Sequence, residues 1–138
     1  MTRLTQLLPL FGLVVLSGCA TTSANITGAG TRLETRQIQT REYDTLGKAL
    51  TMRSVIATLQ DLGFTIDQAD AELGTITATR LDQYTMRMTV TVVQKETQRI
   101  SVRTNARIGE KSVTDASTYQ DFFVALDKAM FLTQHKVD

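Results

Sequence analysis

Two successive runs of the chain alternate apolar and polar residues with a period of two. From Tyr84 to Val93, the residues Met86, Met88, Val90 and Val92 alternate with Thr85, Arg87, Thr89 and Thr91. From Arg99 to Ile108, the residues Ile100, Val102, Ala106 and Ile108 alternate with Arg99, Ser101, Arg103, Asn105 and Arg107. Successive side chains of a strand point to opposite faces, so this pattern predicts an antiparallel pair covered on one face. Gln94 to Gln98 supplies the turn. Phe64 to Gln68 and Thr75 to Leu81 predict a second hairpin, joined by the turn Asp70-Ala71-Glu72-Leu73-Gly74. Gln37 to Tyr43 predicts one further strand.

Two other segments follow the three-and-four spacing of an amphipathic helix. The first opens at Asp44 or Thr45 as its cap and runs to Leu62. It places Leu46, Ala49, Leu50, Met52, Val55, Ile56, Leu59 and Leu62 on a buried stripe. Gly63 is a natural stop, because glycine takes positive φ without steric penalty. After a loop from Gly109 to Asp115, a last helix opens at Ser117 or Thr118 and runs to Gln134. Its inner face is Tyr119, Phe122, Phe123, Leu126, Ala129, Met130 and Thr133. The expected order is β-α-β-β-β-β-α. Two helices on one face of an antiparallel sheet make an α+β sandwich of two layers.

The N-terminus has a different pattern. Arg3 lies in a short basic segment, and Leu4 to Leu16 is apolar. This run is shorter than the roughly 20 residues that span a bilayer. Leu16-Ser17-Gly18-Cys19 follows at once and resembles the lipobox of bacterial lipoproteins, with an apolar residue, two small residues and the cysteine. The resemblance implies a signal peptide over 1–18, cleavage before Cys19, and lipid attached to Cys19. Ala20 in the next position, by the same resemblance, implies sorting to the outer membrane. The small, polar, uncharged stretch from Ala20 to Thr31 reads as part of a flexible tether over 19–36. A single periplasmic domain over 37–138 follows.

The charges add little direction. The chain carries 15 basic and 14 acidic residues, and loss of Arg3 with the leader leaves a formally neutral protein. Nucleic acid is therefore not an expected partner. A single cysteine excludes an internal disulfide.

The segment Leu59-Gln60-Asp61-Leu62-Gly63-Phe64-Thr65-Ile66, the acidic turn with Gly74, and Thr75-Ile76-Thr77-Ala78 together resemble the helix-grip modules of BamC-like lipoproteins. Such lipoproteins belong to the outer-membrane barrel-assembly machine. Tyr119-Gln120-Asp121-Phe122-Phe123 before Phe131-Leu132 resembles other proteobacterial lipoproteins. These motifs are structural, and the resemblance implies no catalytic residues.

Candidate chemistry is sparse. His135 is the single histidine, and there is no tryptophan. No nucleophile elbow accompanies His135, so a Ser-His-Asp triad has no frame. A zinc site of the usual kind needs three or four His, Cys or carboxylate ligands, and with Cys19 committed to lipid none is expected. Asp67, Asp70 and Glu72 cluster at one turn but lack the ladder of a calcium loop, so a solvated turn is the expectation. Met52, Met86 and Met88 either line an apolar ligand pocket or fill the core; their inward parity favours the core. No catalytic residue, metal or cofactor is expected. The unusual feature is the outward face, where Arg87, Arg99, Arg103 and Arg107 stand among threonines. Threonine is a good strand former, so a merely solvated face is one reading. A docking surface for an acidic partner, for phosphates or for carboxylates is the other. The expected function is that of a non-enzymatic envelope lipoprotein, an accessory or scaffold subunit meeting a protein partner. The alternative is a periplasmic carrier holding a lipid or other apolar ligand between helix and sheet.

Overall fold

The computed structural model describes residues 25–44 and 47–135, with side chains of the first helix from position 31 onward. The leader, Cys19, Thr45 and Leu46 lie outside the described residues. The elements are α1 (Asn25–Ile38), β1 (Thr40–Asp44), α2 (Lys48–Asp61), β2 (Thr65–Asp70), β3 (Thr75–Leu81), β4 (Thr85–Glu96), β5 (Arg99–Ile108), β6 (Lys111–Ser112) and α3 (Ala116–Gln134). The strands form one antiparallel sheet in the order β1-β5-β4-β3-β2, with β6 also paired to β5. The α+β sandwich expected from the sequence is the fold observed. Among the described residues, no helix is long and apolar enough to cross a membrane.

The core lies where the period-two pattern puts it. Ile76, Ala78, Met86, Met88, Val90, Val92, Ile100, Val102 and Ala106 point inward. They meet Met52, Val55 and Leu59 of α2 and Tyr119, Phe122, Phe123, Leu126 and Met130 of α3. Phe122 and Phe123 pack edge to face with centroids 5.2 Å apart.

Local backbone chemistry sets the ends of α2. Its N-cap is Gly47 and not Asp44, and Thr45 lies outside the described residues. At its C-terminus, Gly63 donates to the carbonyl of Gln60 and Phe64 donates to that of Leu59. This pair of bonds is a Schellman motif, with φ of 81° at Gly63 and the apolar contact of Phe64 that usually accompanies it. Gly74 is a second glycine that the fold requires. Its φ is 74°, and a Cβ there would lie 2.3 Å from the carbonyl oxygen of Val92.

Three expectations are corrected. Residues 25–36 are not a flexible tether, because α1 occupies Asn25–Ile38 and reaches past Gln37, where a strand was expected. Its weak formers and two glycines hide it; it is held by docking at its C-terminal end, where Ile38 packs against the core and Gln39 is buried. The loop after β5 contains the short strand β6, paired through Arg107–Ser112 and Ile108–Lys111. The last helix starts at Ala116 with Asp115 at the N-cap, earlier than Ser117. The Asp115 carboxylate accepts from the Ser117 hydroxyl, and this bond holds its pKa below the usual value.

Candidate functional site

The face of the sheet away from α2 and α3 carries the predicted arginines in rows fixed by strand register. One row crosses β3, β4, β5 and β6 as Thr79, Arg87, Arg107 and Ser112. The next is Gln68, Thr77, Thr89 and Asn105. A third is Asp70, Thr75, Thr91, Arg103 and Thr40. The register places Arg87 directly opposite Arg107, and Arg87, Arg103 and Arg107 are all exposed.

Their neighbours divide the four arginines into two kinds. Arg99 lies 3.7 Å from carboxylates of both Asp44 and Glu96, at one end of the sheet. Arg107 reaches Glu110, with its carboxylate at 3.2 Å and its carbonyl at 2.9 Å. Among the described residues, Arg87 and Arg103 have no ion-pair partner. Arg99 and Arg107 thus have local carboxylate partners, whereas Arg87 and Arg103 on the same face make no ion pair among the described residues. Exposed pairs such as these contribute about 0–1 kcal/mol each, so they are weak reasons for the arrangement.

Sequence reasoning missed two more arginines. Arg32 and Arg36 lie one helical turn apart on α1, which contacts β1 and α3. A cleft of about 540 Å³ between α1 and the sheet is lined by Arg32, Arg36, Arg103, Asn105, Arg107 and Ser112, among others. The signal was present as an i,i+4 pair in Thr31-Arg32-Leu33-Glu34-Thr35-Arg36. It was unreadable while the segment passed for a tether.

Other arginines serve the fold. Arg41 lies 2.6 Å from Asp127 of α3 and stacks over the Phe123 ring. Arg80 lies over Phe64 and donates to the Leu62 carbonyl. Tyr43 donates to the other oxygen of Asp127 at 2.7 Å. Burial, and then that carboxylate, hold the Tyr43 phenol well above its ordinary pKa.

The carboxylates of the acidic turn do not converge. Asp67 accepts from the Thr79 hydroxyl, and Asp70 accepts from the backbone N–H of Leu73. Among the described residues, no group of three or more His, Cys, Asp and Glu side chains is placed to hold a metal. His135 caps the end of α3, with its ring stacked on Phe131 and Nδ1 2.9 Å from the Phe131 carbonyl. A carbonyl can only accept, so Nδ1 carries the hydrogen. No protein-family model matches the chain, and no curated protein matches it.

Proposed function

We propose that this protein is a non-enzymatic accessory or scaffold subunit of the bacterial envelope, anchored by lipid on Cys19 and docking an acidic protein partner on the outer face of its sheet. The carrying observation is Arg87 in register with Arg107, with Arg103 on the same face two rows further along β5. Like charges directly opposite in a sheet destabilise it slightly. Arg107 reaches Glu110, but Arg87 makes no ion pair among the described residues. A partner bearing carboxylates would offset the repulsion, and arginine is suited to bidentate contacts with them. The Leu16-Ser17-Gly18-Cys19 motif supports the anchor, and Ala20 in the next position supports an outer-membrane address for the periplasmic domain.

The core supports docking over the carrier alternative. Met52, Met86 and Met88 are buried in one cluster with Val55, Leu59 and Phe122. Those methionines are occupied in packing the helices onto the sheet.

The test is the double variant Arg87→Glu with Arg103→Glu, crosslinked in intact envelopes beside the native chain. A partner captured in fixed proportion by the native protein should be lost from the variant. A folded variant that keeps every partner would refute docking on this face. Palmitate labelling that persists in Cys19→Ala would refute the anchor.

A further inference from the structure

We propose that the cleft between α1 and β5–β6 is a binding site for a ligand carrying two phosphoryl groups. This goes beyond docking on the sheet face, because the site is completed by a helix that the face itself does not include. Arg32 and Arg36 form one wall, one helical turn apart. Arg103 and Arg107 form the other, four residues apart along β5. Asn105 and Ser112 add neutral donors between and beside them. Among the described residues, no acidic one lines the cleft; Glu110 reaches Arg107 and is almost wholly exposed.

The charges lack an internal reason. Among the described residues, Arg32, Arg36 and Arg103 make no ion pair. Arg36 sits in the last turn of α1, where the helix dipole favours a cation. Arg32 sits a turn earlier and lacks that benefit, and the two like charges at i,i+4 weaken the helix. On the opposite wall, Arg107 also faces Arg87. A multiply charged anion relieves all of these repulsions together. Guanidinium groups bind phosphoryl oxygens in bidentate fashion, and hydroxyl and amide donors complete such sites. A cleft of about 540 Å³ lies within the size range of small-ligand sites and has room for more than one phosphate. Guanidinium pairs on two opposing walls suit a diphosphate better than a single anion.

The same chemistry is offered by a soluble diphosphate and by a phosphorylated lipid headgroup, and the test separates them. The full chain carrying Cys19→Ala is used, so that no acyl chain contributes to binding. Inorganic pyrophosphate is titrated while backbone amide signals are followed by NMR. Saturable shifts should centre on α1, β6 and the end of β5, and the affinity should fall as salt rises. Arg32→Gln with Arg36→Gln, both exposed and outside the sheet, should weaken pyrophosphate binding at least about tenfold with the amide spectrum otherwise kept. Vesicles of phosphatidylcholine with and without cardiolipin, whose headgroup carries two phosphates, give the second arm. Binding to the acidic vesicles, lost in the double arginine variant, assigns the ligand to lipid. Pyrophosphate binding without vesicle binding assigns it to a soluble compound. Absence of saturable binding overturns the site, as does binding unchanged in the variant. An oligoglutamate peptide that binds as tightly as pyrophosphate overturns the phosphoryl assignment. These readouts need neither the lipid anchor nor a protein partner, so they stand or fall apart from the docking proposal.

Discussion

The side-chain amide of Gln39 donates to the phenolic oxygen of Tyr119 at 3.0 Å, and both residues are buried. The same oxygen accepts from the backbone N–H of Ala106 and donates to the carbonyl of Val113. A phenol has one hydrogen and two lone pairs, so Tyr119 uses its full capacity. The edge of β5 explains the need. β1 pairs with β5 at residues 99–103, the Gln39 carbonyl takes the Thr104 N–H, and β6 covers 107–108. Ala106 sits in the remaining gap, where Tyr119 and the Val113 N–H satisfy it. One side chain thus joins α1, β5, the loop before α3, and α3 itself.

Tyr119→Phe should therefore cost roughly 2–4 kcal/mol, since it strands buried donors on Gln39 and Ala106. Denaturant unfolding measures this. Amide exchange should rise at Ala106 and in α1 while the central strands stay protected. A variant as stable as the native chain would show that the three bonds do not hold this corner.

The hub illustrates what the sequence did and did not make legible. β4 and β5 were readable because one covered face imposes alternation on every residue. Gly63 was readable because its requirement is local, a positive φ at the end of a helix. Tyr119 was read as one more member of an apolar stripe. Its hydroxyl partners come from Gln39, Ala106 and Val113, and no pattern near Tyr119 announces them. The helix α1 escaped for the related reason that docking at Ile38 and Gln39 holds it, while its own residues form helices poorly. Arg32 and Arg36 disappeared with it. The arginine face was legible by parity, but its sorting was not, because Arg99 finds Glu96 at the end of β4 and Arg107 finds Glu110 in the turn before β6.

Thr104 marks a place where the fold carries a cost. It faces inward opposite Val90 and is fully buried, and its hydroxyl has no hydrogen-bond partner among the described residues. Burying such a group without a partner costs on the order of 1–3 kcal/mol. Valine has nearly the same shape without the hydroxyl. Thr104→Val should raise stability by about 1 kcal/mol, seen as a higher urea midpoint at unchanged m-value. Thr58 is the control, because its buried hydroxyl donates to the Ser54 carbonyl. Thr58→Val should bring no such gain. A lower midpoint for Thr104→Val would mean that the hydroxyl is satisfied in solution.

Tyr43 gives the fold a definite alkaline limit. Its phenol is partly buried and donates to Asp127, which also holds Arg41. Burial is the larger cause and the carboxylate the next, and both raise the pKa above the ordinary value near 10. The sign follows from linkage. The folded state keeps the phenol neutral, whereas the unfolded chain releases its proton above about pH 10. The contribution of Tyr43 is therefore fully present below the unfolded pKa and is lost as pH rises through and beyond it toward the folded value. Tyr43→Phe removes this dependence. At neutral pH the variant should be less stable by about 1 kcal/mol, having lost one hydrogen bond to a carboxylate that keeps Arg41. Between about pH 9 and about pH 12 the native chain should lose stability faster than the variant, so the two curves converge. Urea unfolding across that interval measures both. Parallel curves, with a constant gap at every pH, would show that Tyr43 ionises as easily in the fold as out of it, and the clamp on Asp127 would then not be closed.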